Sequence, residues 1–124
     1  MRQGIKWTLA AIIGLWIRLP IAVQALVVLM LIDYVTGVLS AALAGELSSE
    51  KGWKGLVRKI LALLMVLASY HLMKPIAPGF DIVSIVATAL SMNEGLSITE
   101  NCARSGVPIP KRIADLLSFF RGTK

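Results

Sequence analysis

Residues Ile21–Ala44 read IAVQALVVLMLIDYVTGVLSAALA, and a single side chain in that run, Asp33, carries a charge. A helix needs about 20 consecutive apolar residues to cross the hydrocarbon of a bilayer. This stretch is long enough, and its side chains show no alternation of period two that would suit a barrel strand. In lipid every backbone N–H and C=O must find a partner within the segment, which leaves the α-helix. The run ends at Gly45-Glu46, and Leu47–Gly55 (LSSEKGWKG) is polar and reads as a loop.

The rest of the chain repeats the pattern. Upstream, Ile5–Leu19 (IKWTLAAIIGLWIRL) is apolar, but its 15 residues fall short of a full span, and Pro20 closes it. Arg2 and Lys6 resemble the start of a signal peptide. Trp16 and Arg18, however, stand where a cleavage site needs small residues, so the helix is expected to be retained. Downstream, residues 56–74 form a third apolar helix, closed by Lys74-Pro75 and the turn Pro75-Ile76-Ala77-Pro78-Gly79. Residues 79–100 form a fourth, sprinkled with Ser84, Thr88, Ser91, Asn93 and Glu94. After Gly106-Val107-Pro108-Ile109-Pro110, residues 111–121 place Ile113, Leu116, Leu117 and Phe120 at i, i+3, i+4 and i+7, the mark of a short amphipathic helix.

Composition agrees. Of 124 residues, 56% are hydrophobic and only 16% charged, and the mean hydropathy is +0.76. Soluble domains carry about 25% charged residues, and a chain this small has too little core to hide so many apolar side chains from water. A soluble enzyme, a disordered tail and a disulfide-stapled secreted domain are thereby disfavoured. Cys102 is the only cysteine, so no intrachain disulfide forms. The expected fold is a single all-α integral membrane domain over residues 1–124. It has three to four transmembrane helices (approximately 5–19, 21–44, 56–74 and 79–100) and a short C-terminal amphipathic helix (111–121).

The net charge of +6, from 13 Lys/Arg against 7 Asp/Glu, reports topology here rather than nucleic-acid binding. If all four segments span, Arg2 and Lys6, the loop's Lys51, Lys54, Arg58 and Lys59, and the tail's Arg104, Lys111, Arg112, Arg121 and Lys124 share one side. Only Arg18 and Lys74 lie on the other. If the first segment lies on the surface, Arg2 and Lys6 change sides. Basic residues favour the cytoplasm, so either arrangement puts the loop and the C-terminus inside. The sharper segregation favours four spans. Lys51, Lys54, Arg58, Lys59, Lys111 and Arg112 are expected at the anionic lipid surface.

Enzyme motifs are absent: one histidine, one cysteine, no P-loop, no Cys-x-x-Cys, no HExxH. Nothing calls for a metal or cofactor. The chemistry lies in intramembrane carboxylates. Asp33, Gly37, Ala41 and Gly45 fall at intervals of four on one helical face, a ladder of small residues headed by an ionisable group. Small residues let a second helix approach, and the polar group is then satisfied across the contact. That face serves helix association or lines a pore, or Asp33 is hydrogen-bonded within one subunit. Ser84, Thr88, Ser91 and Gly95 form a second such face, which either wets a lumen or bonds to nearby carbonyls. Glu94 and Asn93 are expected near the cytoplasmic boundary. His71, beside Tyr70, and Trp7, Trp16 and Trp53 read as interfacial residues.

Four ordered blocks resemble a phage holin family, the toxin-secretion/phage-lysis holins that include the holin-like proteins of clostridial toxin loci. Asp33-Tyr34-Val35-Thr36-Gly37 with Ala41 is similar to its DY-x-TG-x-x-x-A signature. Ser48-Ser49-Glu50-Lys51-Gly52-Trp53-Lys54-Gly55-Leu56-Val57-Arg58-Lys59 is similar to its SS-x-x-G-x-KG-x-x-RK loop. Asn93-Glu94-Gly95-Leu96-Ser97-Ile98-Thr99-Glu100-Asn101 is similar to NE-x-x-S-I-x-EN, and Gly106–Pro110 follows as G-x-P-x-P. Tyr70-His71 and Asp81 depart from the pattern without touching these blocks. The resemblance implies a homo-oligomer in the bacterial cytoplasmic membrane that forms lesions and releases an endolysin, or a toxin, for host lysis. It marks Asn93, Glu94, Ser97, Glu100 and Asn101 as a polar cap, expected to pair with Arg58 or Lys59. A small ion channel or exporter subunit, or a membrane anchor for a soluble partner, are the other readings of the residues.

Overall fold

The computed structural model describes residues 1–122; Thr123 and Lys124, part of the basic tail, lie outside the described residues. Five helices follow one another: α1 (Arg2–Arg18), α2 (Ile21–Leu43), α3 (Ser49–Ile76), α4 (Ile82–Arg104) and α5 (Lys111–Gly122). No strand occurs among the described residues. Three helices, α2, α3 and α4, are long and apolar enough to cross a membrane.

The first helix is not among them. At 1.5 Å per residue its 17 residues reach about 26 Å, short of the roughly 30 Å of hydrocarbon. None of its residues is buried. A corner at Leu19-Pro20 separates it from α2, and Gln24 explains how that corner is closed. Its amide nitrogen donates to the carbonyl of Trp16 (3.0 Å), which also accepts from the Leu19 N–H, and to that of Leu19 (3.1 Å), so one side chain ties the end of α1 to the start of α2.

The helix ends follow local rules. α2 stops because Gly45 adopts φ +69°, a conformation that favours glycine. The Glu46 N–H then donates to the Ala41 carbonyl at 2.8 Å and the Gly45 N–H to Ala42 at 3.2 Å, a Schellman turn. Gly106, φ +87°, ends α4 the same way, with the Val107 N–H on the Cys102 carbonyl at 3.0 Å. Gly45 is therefore a stop and not a rung of the α2 ladder.

α3 begins seven residues before the expected position 56. Ser48 caps it, accepting from the Lys51 N–H at 3.3 Å, and Glu50 pairs with Lys54 one turn on at 2.6 Å. The polar stretch after Ser48 is thus the first two turns of a long helix. α4 runs four residues beyond the expected end, to Arg104. Asp81 caps its start, accepting from the Ser84 N–H at 3.0 Å, and the Ser84 hydroxyl together with that N–H holds the Asp81 carboxyl below its usual range.

α2 and α4 share the largest interface and run parallel, and α3 runs antiparallel beside them. One half of this bundle is apolar: Val23, Leu26, Met30, Val66, Val83 and Ala87 form the core, with Leu26 and Ala87 fully buried. The outward faces stay apolar too; Leu31 and Leu61 are 64% and 59% exposed. Such a surface suits hydrocarbon, which it meets without penalty, and the chain is a membrane-embedded protein.

Candidate functional site

The other half of the bundle is held by polar groups. Asp33 is the thirteenth residue of α2, Lys59 lies three turns into α3, and Glu94 lies near the middle of α4. Lys59 Nζ contacts Asp33 Oδ2 at 2.7 Å and Glu94 Oε2 at 2.5 Å. The three side chains are 14%, 18% and 11% exposed. One ammonium thus joins two carboxylates from two other helices, and all three spans meet at a single ionic cluster.

Further bonds continue the cluster along the α2–α4 seam. Asn101 Nδ2 donates to Asp33 Oδ1 (3.0 Å), to the Asp33 carbonyl (3.3 Å) and to Thr36 Oγ1 (3.1 Å). Thr36 Oγ1 in turn donates to the Asp33 carbonyl at 3.1 Å. One turn further, Arg104 Nε donates to Ser40 Oγ at 2.8 Å, and Ser40 is buried. Buried charges in hydrocarbon are tolerated when paired and hydrogen-bonded, and this seam supplies both.

A funnel of about 330 Å³ opens at the α2–α3 turn and reaches down to the cluster. Lys51, Glu46, Glu100 and Arg104 stand along it, and Asp33, Lys59 and Asn101 lie deeper. Gly37 lines it as well; a methyl at Gly37 would sit 3.5 Å from Asn101 Nδ2, so that residue marks where α4 passes α2. Among the described residues no cluster of His, Cys, Asp and Glu is arranged to hold a metal.

These placements sort the expected site residues. Asp33, Gly37 and Ala41 line the funnel with Asn101 and Arg104 of α4, so their contacts run within one subunit. Lys59 departs from its expected place at the lipid surface: it turns inward, because α3 starts early enough to carry it to the level of Asp33. It is also the partner of Glu94, whereas Arg58 is exposed. Lys51, Lys54, Lys111 and Arg112 are exposed, Lys51 on the funnel wall.

The expected polar cap is divided. Glu94 is buried, Ser97, Glu100 and Asn101 are half-buried toward the funnel, and Asn93 is exposed on another side of α4. Asn93 and Glu94 stand at the middle of α4 rather than near its end, because the helix continues to Arg104. The Ser84, Thr88, Ser91, Gly95 stripe flanks the buried face of Val83, Ala87 and Glu94; Thr88 is exposed, and Ser91 Oγ is buried without a hydrogen-bond partner. His71 is exposed and edge-on to Tyr70, with ring centroids 5.3 Å apart. Ser40 is a site residue the sequence does not mark; Thr36 enters it only within the signature block, and Arg104 only as one of the basic residues of the tail. The positions of Thr36 and Ser40, three and seven residues after Asp33, were the available signal.

The chain matches the family model described as "Bacteriophage holin family" over residues 8–122. It is similar to the probable holin of Bacillus phage phi105, 41% identical over 96 residues, covering 74% of this chain and 68% of the relative. The uncharacterized 14.9 kDa protein in the nagH 3′ region of Clostridium perfringens is 34% identical over 97% of this chain and 95% of its own length. An uncharacterized protein of Halalkalibacterium halodurans is 30% identical over 98% and 97%. No solved structure matches. The family match covers every span of the bundle and the helix that follows it, and the chain belongs to the bacteriophage holin family.

Proposed function

We propose that this protein is a working holin. It accumulates in the bacterial cytoplasmic membrane, self-associates, and opens lesions through which an endolysin reaches the wall. With α2, α3 and α4 as spans, the α2–α3 turn and α5 lie on one side. Apart from Lys59, which is drawn into the cluster between the spans, that side carries eight Lys/Arg: Lys51, Lys54, Arg58, Arg104, Lys111, Arg112, Arg121 and Lys124. The other side carries four: Arg2, Lys6, Arg18 and Lys74. The asymmetry supports a cytoplasmic C-terminus. A basic start of α5 lying against anionic lipid fits the same side. The protein performs no catalysis in this reading.

The observation that carries the proposal is the ionic cluster of Asp33, Lys59 and Glu94 joining three spans. A lesion former has to be harmless while it accumulates and wettable once it opens. In the closed bundle the charged groups satisfy one another. In an open assembly the same groups face water, which satisfies them equally well. The two states then differ by a modest free energy, as a bistable element requires. Three helices cannot enclose a path for a folded protein, so the open state is an assembly of many copies. The carboxylates also sit where the membrane field acts, and moving one full charge across it is worth about 2.3 kcal/mol per 100 mV.

The test is induction in a bacterium with and without a cytoplasmic endolysin. The expected outcome is abrupt lysis at a set time, only with the endolysin, and a changed lysis time for Asp33→Asn and Glu94→Gln. Graded ion leakage with no passage of endolysin identifies a small channel instead. Unchanged permeability identifies an anchor.

A further inference from the structure

Asn93 is the middle residue of the 23-residue α4, with 11 residues on either side, so it lies about 16 Å from each end. It is exposed, and its side chain meets no hydrogen-bond partner among the described residues. On a membrane span that position lies half-way through the hydrocarbon, at the mouth of a groove beside α5. An amide there has two donors and an acceptor that lipid tails leave unsatisfied. Its nearest neighbours on the same side are Ala89 one turn before, Met92 beside it and Leu96 one turn after, and Thr99 further along spends its hydroxyl on the Gly95 carbonyl. Together they form one wall of a groove of about 510 Å³ whose other wall is the apolar side of α5, with Ile113, Leu117 and Phe120.

We propose that this face of α4 is the contact between two copies of the chain, with the two Asn93 amides hydrogen-bonded to each other. The inference rests on the self-assembly reading above and names its surface. An amide is its own complement: across a two-fold axis each donates to the other's oxygen, and both are satisfied. A lipid tail offers it nothing. Ala89 lets the second helix come close enough for that pair to form, as small residues do between helices in membranes. Gly37 does not compete for this role, since Asn101 of the same chain's α4 stands 3.5 Å from where its Cβ would be.

The test uses the full chain in bacterial membranes with Cys102→Ser as background. Single cysteines are introduced by Ala89→Cys, at the proposed contact, and by Val35→Cys, on the exposed side of α2. Oxidation is expected to link Ala89→Cys into dimers and to leave Val35→Cys monomeric, before and after the membrane potential is collapsed. In detergent, Asn93→Leu is expected to weaken dimerisation about 3- to 30-fold, the range of an interhelical polar contact, and Asn93→Gln to restore most of it. Linking through Val35→Cys alone, or a dimer indifferent to Asn93→Leu, overturns the α4 contact while leaving self-assembly in place. A wild-type chain that stays monomeric in every condition removes the self-assembly reading and this contact with it.

Discussion

The two halves of the bundle are held by different means. Toward the α3–α4 turn, α2, α3 and α4 meet through Val23, Leu26, Met30, Val66, Val83 and Ala87, and among the described residues no hydrogen bond or ion pair links these helices there. Toward the α2–α3 turn, they meet through Asp33, Lys59, Glu94, Asn101, Ser40 and Arg104. In water the apolar half would dominate stability. In lipid the ranking changes, because an apolar side chain leaving its neighbour meets another apolar surface and loses only packing. A charge leaving its partner meets hydrocarbon and is left uncompensated. The polar half therefore fixes the closed arrangement, and the apolar half fits around it.

The largest effect should follow from Lys59→Met, which strands two carboxylates among the spans. Removing one member of a buried ionic group costs about 3–5 kcal/mol. The loss is measured as reduced resistance of the purified protein to sodium dodecyl sulfate in mixed micelles. Neutralising the whole cluster, with Asp33→Asn, Lys59→Met and Glu94→Gln together, is expected to recover most of it, since no charge is then unpaired. If Lys59→Met alone costs less than about 1 kcal/mol, the comparison between the halves is broken.

Leu26→Ala probes the apolar half at its most buried side chain. In soluble cores such a change costs about 2–5 kcal/mol. Part of that is transfer from water, which is absent when the reference state is a separated helix in lipid. The expected cost in the same assay is about 1–2 kcal/mol, clearly below that of Lys59→Met. A Leu26→Ala loss larger than the Lys59→Met loss would reverse the assignment of the two halves.

The spans were legible because hydrocarbon accepts only one kind of backbone, and length and apolarity then suffice. Asp33 was legible as an exception inside its span. Its partner was not. Lys59 follows Arg58 in a basic doublet after a polar stretch, and local sequence places such a doublet at a surface. Its inward turn depends on Ser48 starting α3 early and on where three helices align in depth, and neither is a property of the residues around position 59. Glu94 and Asn93 show the same limit: adjacent in sequence, they differ by about 100° around α4, so one is buried and the other exposed. The family blocks keep both without saying which faces where. The span count turned on length: α1 is apolar throughout Trp7–Ile17 except Thr8, yet its 17 residues fall short of the roughly 20 of an ordinary span.

The border between the halves offers the smallest test. Ser91 lies one turn after Ala87 and three residues before Glu94, and its hydroxyl oxygen is buried with no hydrogen-bond partner among the described residues. A serine in a membrane helix ordinarily bonds to the carbonyl four residues back, here that of Ala87, so the separated helix satisfies a group that the closed bundle does not. Leaving such a group unmade is costly in a low-dielectric interior. Ser91→Ala removes that cost while adding no volume. The closed bundle should become more stable, by about 0.5–1 kcal/mol in mixed micelles, in contrast to the losses at Lys59 and Leu26. A loss on Ser91→Ala would mean that the hydroxyl is satisfied in the membrane, which would extend the polar half one turn closer to Leu26 and Ala87.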